Sequence, residues 1–307
     1  MPKTYKPEII LELFKQRWDP KTKTLRNPVV TIVDVRTEHT RYRQRRGEEV
    51  ENINPPAFIK DFLRKRKSAN RNWPKEIFEA GYTCRQVTGA GRCFEFISIQ
   101  PGQTEPFPKT APEPSSSVLA HQISSVSLPL ASRRLGRTDE PWLVQVSVRL
   151  HIVETYFALF STRKARIRQI DHLQNALKLR KTEIDALFLG IEETGPEQFD
   201  EFIITCEAKR LGEDIISEQV LQQVRAVFKL PNVDQKFAVP IALKSIGPSR
   251  IHIVEYVSVG RDEVEGLEEL TIANQAVFEL TPPIPGIGVK YTTRKSSPAP
   301  PKRTRRN

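Results

Sequence analysis

The chain has 307 residues, enough for two domains that each bury a core. With 38% apolar and 28% charged residues it has the composition of a soluble globular protein, and no run approaches the ~20 apolar residues of a membrane span. The opening MPKTYKPEII lacks the apolar core of a signal peptide, and the three cysteines, Cys84, Cys93 and Cys206, have neither the number nor the spacing of a disulfide framework or a zinc site. A cytoplasmic protein with free thiols is the expectation. The formal charge of +11 is unevenly placed: residues 1–100 carry 21 Lys and Arg against 12 Asp and Glu, residues 290–307 carry seven against none, and the middle is net acidic. Basic flanks around an acidic centre suggest a polyanion held by the flanks, with metal chemistry between them.

In chain order, Ile10, Leu13 and Phe14 recur at helical spacing between Pro7 and Trp18, with Pro7 suited to a first helical turn. Val29 to Val35 has strand composition after the turn Asn27-Pro28. The run RYRQRR, Arg41 to Arg46, has no apolar stripe and fits a solvated loop or a phosphate contact. Ala57 to Lys67 predicts a helix with Phe58, Ile59, Phe62 and Leu63 on one face and Arg64, Lys65, Arg66 and Lys67 at its end. Lys75 to Ala80 predicts a short helix closed by Gly81. Tyr82 to Val87 and Arg92 to Ile99 predict a hairpin across Thr88-Gly89-Ala90-Gly91. Helices followed by a basic hairpin look like a winged helix-turn-helix, which makes residues 1–100 a candidate DNA-binding domain. Arg64, Lys65, Arg66 and Lys67 would meet phosphates, with Arg92 on the hairpin. Asn70, Arg71, Asn72 and Arg85 have the side chains that read base edges.

Residues 101–140 are rich in Pro and Ser and are expected to be a linker. Trp142 to Phe160 alternates like a strand at Val144, Val146 and Val148 and then spaces like a helix at Val153, Tyr156 and Leu159; periodicity leaves both open. Arg166 to Arg180 is expected to give a strand, although Leu173, Ala176 and Leu177 also fit a helix.

Thr182 to Arg210, TEIDALFLGIEETGPEQFDEFIITCEAKR, holds the densest chemical signal. Two runs of branched and aromatic residues, Ile184 to Ile191 and Phe199 to Cys206, flank a polar loop, Glu192 to Gln198, and predict a hairpin. Closing it brings Asp185 opposite the end of the second strand. There Glu207 and Lys209 share one face, and Phe202, Ile204, Cys206 and Ala208 share the other. Two carboxylates and an ammonium at the edge of an apolar sheet need a partner. Two acidic oxygens suit Mg²⁺, and a lysine beside them can orient a water or offset charge on phosphorus. Ser217 to Phe228 then predicts an amphipathic helix bearing Gln219, Gln222 and Gln223, expected to face solvent. Phe237 to Leu243 and Ile251 to Val259 predict further strands. No GxxxxGK[ST], GxSxG or HExxH motif is present.

Asp185 followed by Glu207-Ala208-Lys209 resembles the PD-(D/E)XK nuclease superfamily, type II restriction endonucleases in particular, over roughly residues 144–259. Ile184 stands where the motif has proline. The resemblance implies an α/β (α+β mixed) domain over residues 141–289, a mixed sheet flanked by helices; residues 290–307 are too polar to pack and are expected to be a disordered basic tail that could meet phosphate. It implies that Asp185 and Glu207 are Mg²⁺ ligands, that Lys209 is the catalytic lysine, and that Glu154 is a candidate for an upstream acid. It further implies double-stranded DNA as substrate, a possible homodimer, a companion DNA methyltransferase and a bacterial or archaeal, nucleoid-associated setting. A structure-selective repair or junction-resolving nuclease of the same superfamily and a non-catalytic DNA-binding regulator are the alternative readings.

Overall fold

The structure is a computed structural model and describes residues 5–46, 53–63, 65–87, 89–108, 113–114, 119–134, 136–179 and 182–288. The basic tail from 290 onward and Arg64 lie outside the described residues.

The N-terminal part opens with α1 (Lys6–Lys15), a two-residue ribbon of β1 (Trp18–Asp19) and β2 (Thr24–Leu25), and β3 (Val29–Thr31). The strand expected to run to Val35 stops at Thr31 because Thr31-Ile32-Val33-Asp34 is a capping box. The Thr31 N–H donates to Asp34 Oδ2 at 2.8 Å and the Asp34 N–H to Thr31 Oγ1 at 3.1 Å, which starts α2 (Ile32–Arg46). The RYRQRR run is therefore helical. Arg45 pairs with the buried Glu38 at 2.8 Å, Arg41 with the same carboxylate at 3.6 Å, and Arg46 with Glu8 at 2.7 Å. A 3₁₀ turn (Pro55–Ala57) leads to α3 (Phe58–Leu63), α4 (Arg66–Asn72) and α5 (Lys75–Glu79), so the single helix expected over Ala57 to Lys67 is two. The strands β4 (Tyr82–Gln86) and β5 (Arg92–Ser98) complete an antiparallel sheet in the order β3-β5-β4. Ile10, Leu13, Phe58, Ile59, Trp73, Phe94 and Phe96 make its core.

The rest of the chain forms an eight-stranded mixed sheet. Its elements are β6 (His121–Ser124), α6 (Leu130–Arg134), α7 (Glu140–Arg149), α8 (Ile152–Leu159), β7 (Ile167–Leu179), β8 (Thr182–Gly195), β9 (Gln198–Lys209), α9 (Ser217–Val227), β10 (Phe237–Gly247), β11 (Arg250–Tyr256), β12 (Val259–Gly260) and β13 (Ile272–Thr281). The order is β6-β13-β11-β10-β9-β8-β7, with β12 beside β10. Among the described residues only β9–β10 and β13–β6 are parallel. Parallel neighbours cannot be joined by a tight turn, so α9 makes the crossover between β9 and β10. One face of the sheet packs Phe188, Phe202, Ile204, Ile241 and Leu243 against α7 and α8; the other packs Leu187, Ile203 and Ala242 against α9.

The open choice over Trp142 to Phe160 resolves as helix. Asp139 caps α7 by accepting from the Trp142 N–H at 3.3 Å, Pro141 sits in the first turn, and the α7–α8 break falls at His151, whose φ is +50°. Tyr156 ties α8 to the sheet by donating to the buried Glu255 at 2.9 Å, a carboxylate that also accepts from Ser161 at 3.0 Å.

Two expectations fail for identifiable reasons. The loop expected over Glu192 to Gln198 is mostly strand: Glu192 pairs with Asp200 and Glu193 with Phe199, and the turn shrinks to Pro196-Glu197. Proline fits the first central position of a type II turn and Glu197 takes the positive φ, +57°, of the second. Arg163, lying over the Phe237 ring, satisfies the buried Glu192 at 2.7 Å, which lets a polar residue extend the strand. The 101–140 stretch is not a free linker either. Phe107 packs against Trp73 and its N–H donates to Asn70 at 2.8 Å, His121–Ser124 joins the edge of the large sheet, and Leu128 is buried.

At the centre of the hairpin Gly190 faces the fully buried Phe202, and a Cβ on Gly190 would overlap its ring. Gly190→Ala should therefore cost about 1–3 kcal/mol, the ordinary penalty of overpacking. Urea unfolding checks this; equal midpoints for the two proteins would mean that the ring moves aside freely.

Candidate active site

The β8–β9 register fixes the site. Ala186 pairs with Cys206, so Asp185 and Glu207 are the next residues along, on the face that carries Leu187 and Ile203 and looks toward α9. Lys209 follows on the same face at the strand's end. The Ala208 N–H donates to Asp185 Oδ2 at 2.7 Å, and Asp185 Oδ1 makes no hydrogen bond among the described residues. Lys209 Nζ donates to Glu207 Oε1, and Gln223 Nε2 donates both to Glu207 Oε2 and to the Glu183 carbonyl, the latter at 3.0 Å. Glu207 and Lys209 are 6% and 9% exposed, so this ion pair lies inside the protein rather than on its rim.

The three residues predicted from sequence thus meet, and a fourth joins them against expectation. Gln223 is buried rather than solvent-facing. It lies on the apolar stripe of α9, three residues after Val220 and four before Val227, and a polar residue on a buried stripe is the signal that could have found it. Gln219 also lines the cavity, and both polar atoms of its amide are buried without a partner among the described residues. Glu154 is not at the site; it pairs with His151 at 3.3 Å on α8. The upstream acid on the cavity wall is Glu140, at the start of α7.

The cavity is about 370 Å³ and also takes Lys60 and Gln86 from the N-terminal part and Asp214 from the β9–α9 connection. Asp214 accepts from the Arg66 backbone N–H at 3.1 Å and pairs with Lys244 at 3.4 Å. Cys206 lies directly behind the acids, and burial pushes its thiol well above the ordinary range, so it stays neutral.

Burial, and then the charge of Glu207, push the Asp185 carboxyl up to about 7, against the opposing pull of the Ala208 N–H and Lys209. Such a pair is relieved by a cation. Among the described residues no three carboxylate, imidazole or thiol side chains gather into a cage. That donor set suits Mg²⁺, which is held by one or two carboxylates and completes its shell with water and phosphate oxygens. The two acids fit such an ion.

Of the residues expected to touch DNA, Lys65, Lys67 and Arg71 are exposed. Arg66 is tied to Glu105 at 2.8 Å, and Arg85 to Glu95 at 3.0 Å with Glu268 at 4.0 Å. Arg92 Nε donates to the Gly89 carbonyl at 3.4 Å. Asn70 spends both ends of its amide on Glu105 and Phe107, and Asn72 donates to Ser68 at 3.0 Å; these two side chains hold the local structure instead of presenting an edge to a base.

A carboxyl whose folded pKa is raised contributes stability below its unfolded value and loses it as pH rises through the folded one. Metal-free protein should therefore lose stability between about pH 4 and pH 7 through Asp185, and Asp185→Asn should not. Thermal melts of both proteins across that range in EDTA test this: the melting temperature of Asp185→Asn minus that of wild type should rise with pH, and a flat difference refutes the assignment. Comparison with protein-family models, with characterised proteins and with solved structures finds no match.

Proposed function

We propose that the chain is a Mg²⁺-dependent endonuclease of the PD-(D/E)XK superfamily that hydrolyses phosphodiester bonds of double-stranded DNA at a specific sequence, as type II restriction endonucleases do. The observation that carries this reading is the convergence of Asp185, Glu207 and Lys209 on one cavity at the end of a central hairpin.

Bound between Asp185 and Glu207, the ion would supply Lewis-acid stabilisation of the charge that grows on the phosphoryl group. The chain's own part is orientation and charge. Lys209 places an ammonium beside Glu207, where it orients the attacking water and offsets the added negative charge. Gln223 fixes the Glu207 carboxylate from the opposite side. The apolar layer of Ile203, Ala242 and Val224 holds bulk water away and strengthens each of these interactions. Water attacks phosphorus in line with the 3′ oxygen, whose bond breaks, leaving a 5′-phosphate and a 3′-hydroxyl.

The N-terminal part supplies the grip. Its three-stranded antiparallel sheet closing a set of short helices supports a winged-helix reading, and Lys65, Lys67 and Arg71 lie exposed around the start and end of α4. These are side chains for phosphate contact.

Incubating a plasmid with the protein and Mg²⁺ should give discrete bands. A smear would point to cutting without sequence choice, and intact plasmid at every divalent ion tried would remove the nuclease reading. Lys209→Ala should lower the cleavage rate by about 10²–10³-fold while leaving DNA binding in EDTA intact, because the lysine acts on the transition state. Full activity of Glu207→Ala would remove the assignment of these residues.

A further inference from the structure

One strand over from the catalytic lysine a second cavity of about 780 Å³ opens between α4 and the β10–β11 turn. In the parallel ladder Lys244 is the partner of Lys209, so the two lie on neighbouring strands about 5 Å apart. Asp214 lines both cavities.

The walls of this second cavity are strongly basic: Lys65, Arg66, Lys67, Arg71, Lys244 and Arg250 stand against two acids among the described residues, Glu113 and Asp214. Arg66 is occupied by Glu105 and Lys244 by Asp214. Among the described residues Lys65, Lys67, Arg71 and Arg250 have no ion-pair partner, so four cations surround one concavity and repel one another. Arg250 deepens the imbalance, since among the described residues its Nε is buried without a hydrogen-bond partner. Guanidinium and ammonium groups together match an oxyanion with several acceptor oxygens and more than one direction of approach.

We propose that this cavity binds a phosphodiester of the strand being cut, the one next to the scissile position, with Arg250 donating from the sheet and Lys67 and Arg71 from α4. This rests on the nuclease reading, because the register with Lys209 is what places the bound phosphate beside the reacting one. It also joins two parts of the molecule in a single grip: neither α4 nor the β10–β11 end alone closes around the anion.

The test uses the full chain in EDTA, a fluorescein-labelled short duplex and a salt titration of binding. Arg71→Ala should lower the slope of log affinity against log salt by about 0.9, the change expected when one phosphate fewer is neutralised. Arg250→Ala should lower the slope by a similar amount, since it removes a second cation from the other wall of the cavity. Arg71 is exposed, so its variant keeps the test valid if Arg250→Ala misfolds. Binding that both variants leave unchanged overturns the pocket alone, whereas a wild-type chain that binds no duplex overturns the nuclease reading and this occupant together. A slope change confined to duplexes with 5′-phosphate ends overturns the diester assignment in favour of a terminal phosphate.

Discussion

The repulsion between two carboxylates, Asp185 and Glu207, held on one face of an apolar hairpin is the constraint on which the site depends. Its strength shows in Asp185, whose carboxyl is pushed up to about 7 by burial and by its neighbour. Evolution could relieve such a pair by replacing one acid with an apolar residue, a change that is often neutral or stabilising at buried ionic sites. Here the protein instead surrounds the pair with partial remedies: the Ala208 N–H on Asp185, Lys209 and Gln223 on Glu207. Only one of these remedies is a full positive charge, and that ammonium faces two acids. The residual negative charge is what a divalent cation would offset, and the cation could in turn face a polyanion.

Topology explains why the fourth member of the site is a helix residue. β9 runs between antiparallel β8 and parallel β10, and the parallel step requires a crossover helix. That helix must lie on a sheet face, and it lies on the face that carries Asp185 and Glu207. Its buried stripe therefore passes over the acids, and the stripe position nearest them is Gln223. An apolar residue there would leave Glu207 Oε2 without its donor.

The central hairpin was legible because its signals are local: branched residues with period two, a Gly-Pro turn, and an acid on each strand. The turn's true length was not, since Glu192 and Glu193 look like loop residues until Arg163 and Arg168, some 25 to 30 residues upstream in the chain, neutralise them. The same non-locality hid β6, a four-residue edge strand with Ile123 as its one apolar residue, whose partner β13 is more than 150 residues away. Thr31-Ile-Val-Asp34 shows the opposite failure. Its capping box is local and overrides the β-branched run Val29 to Val33. Gln223 is legible once each glutamine is placed on its helix face, where it falls on the apolar stripe.

The large sheet and the N-terminal part each bury their own clusters of side chains, and the contacts that join them are polar. Asp214, itself paired with Lys244 of the large sheet at 3.4 Å, accepts from the Arg66 N–H at 3.1 Å, and Arg85 reaches Glu268 at 4.0 Å. Partly exposed pairs of this kind contribute only about 0–1 kcal/mol each, far less than burying an apolar face would. Yet Lys60 and Gln86 of the N-terminal part stand on the wall of the Asp185–Glu207 cavity. The completeness of that cavity therefore depends on weak polar contacts made next to it, through Asp214. A polyanion drawn to Lys244 competes with Asp214 for the same ammonium, so occupancy of the basic cavity and the seating of the N-terminal part are linked through one side chain.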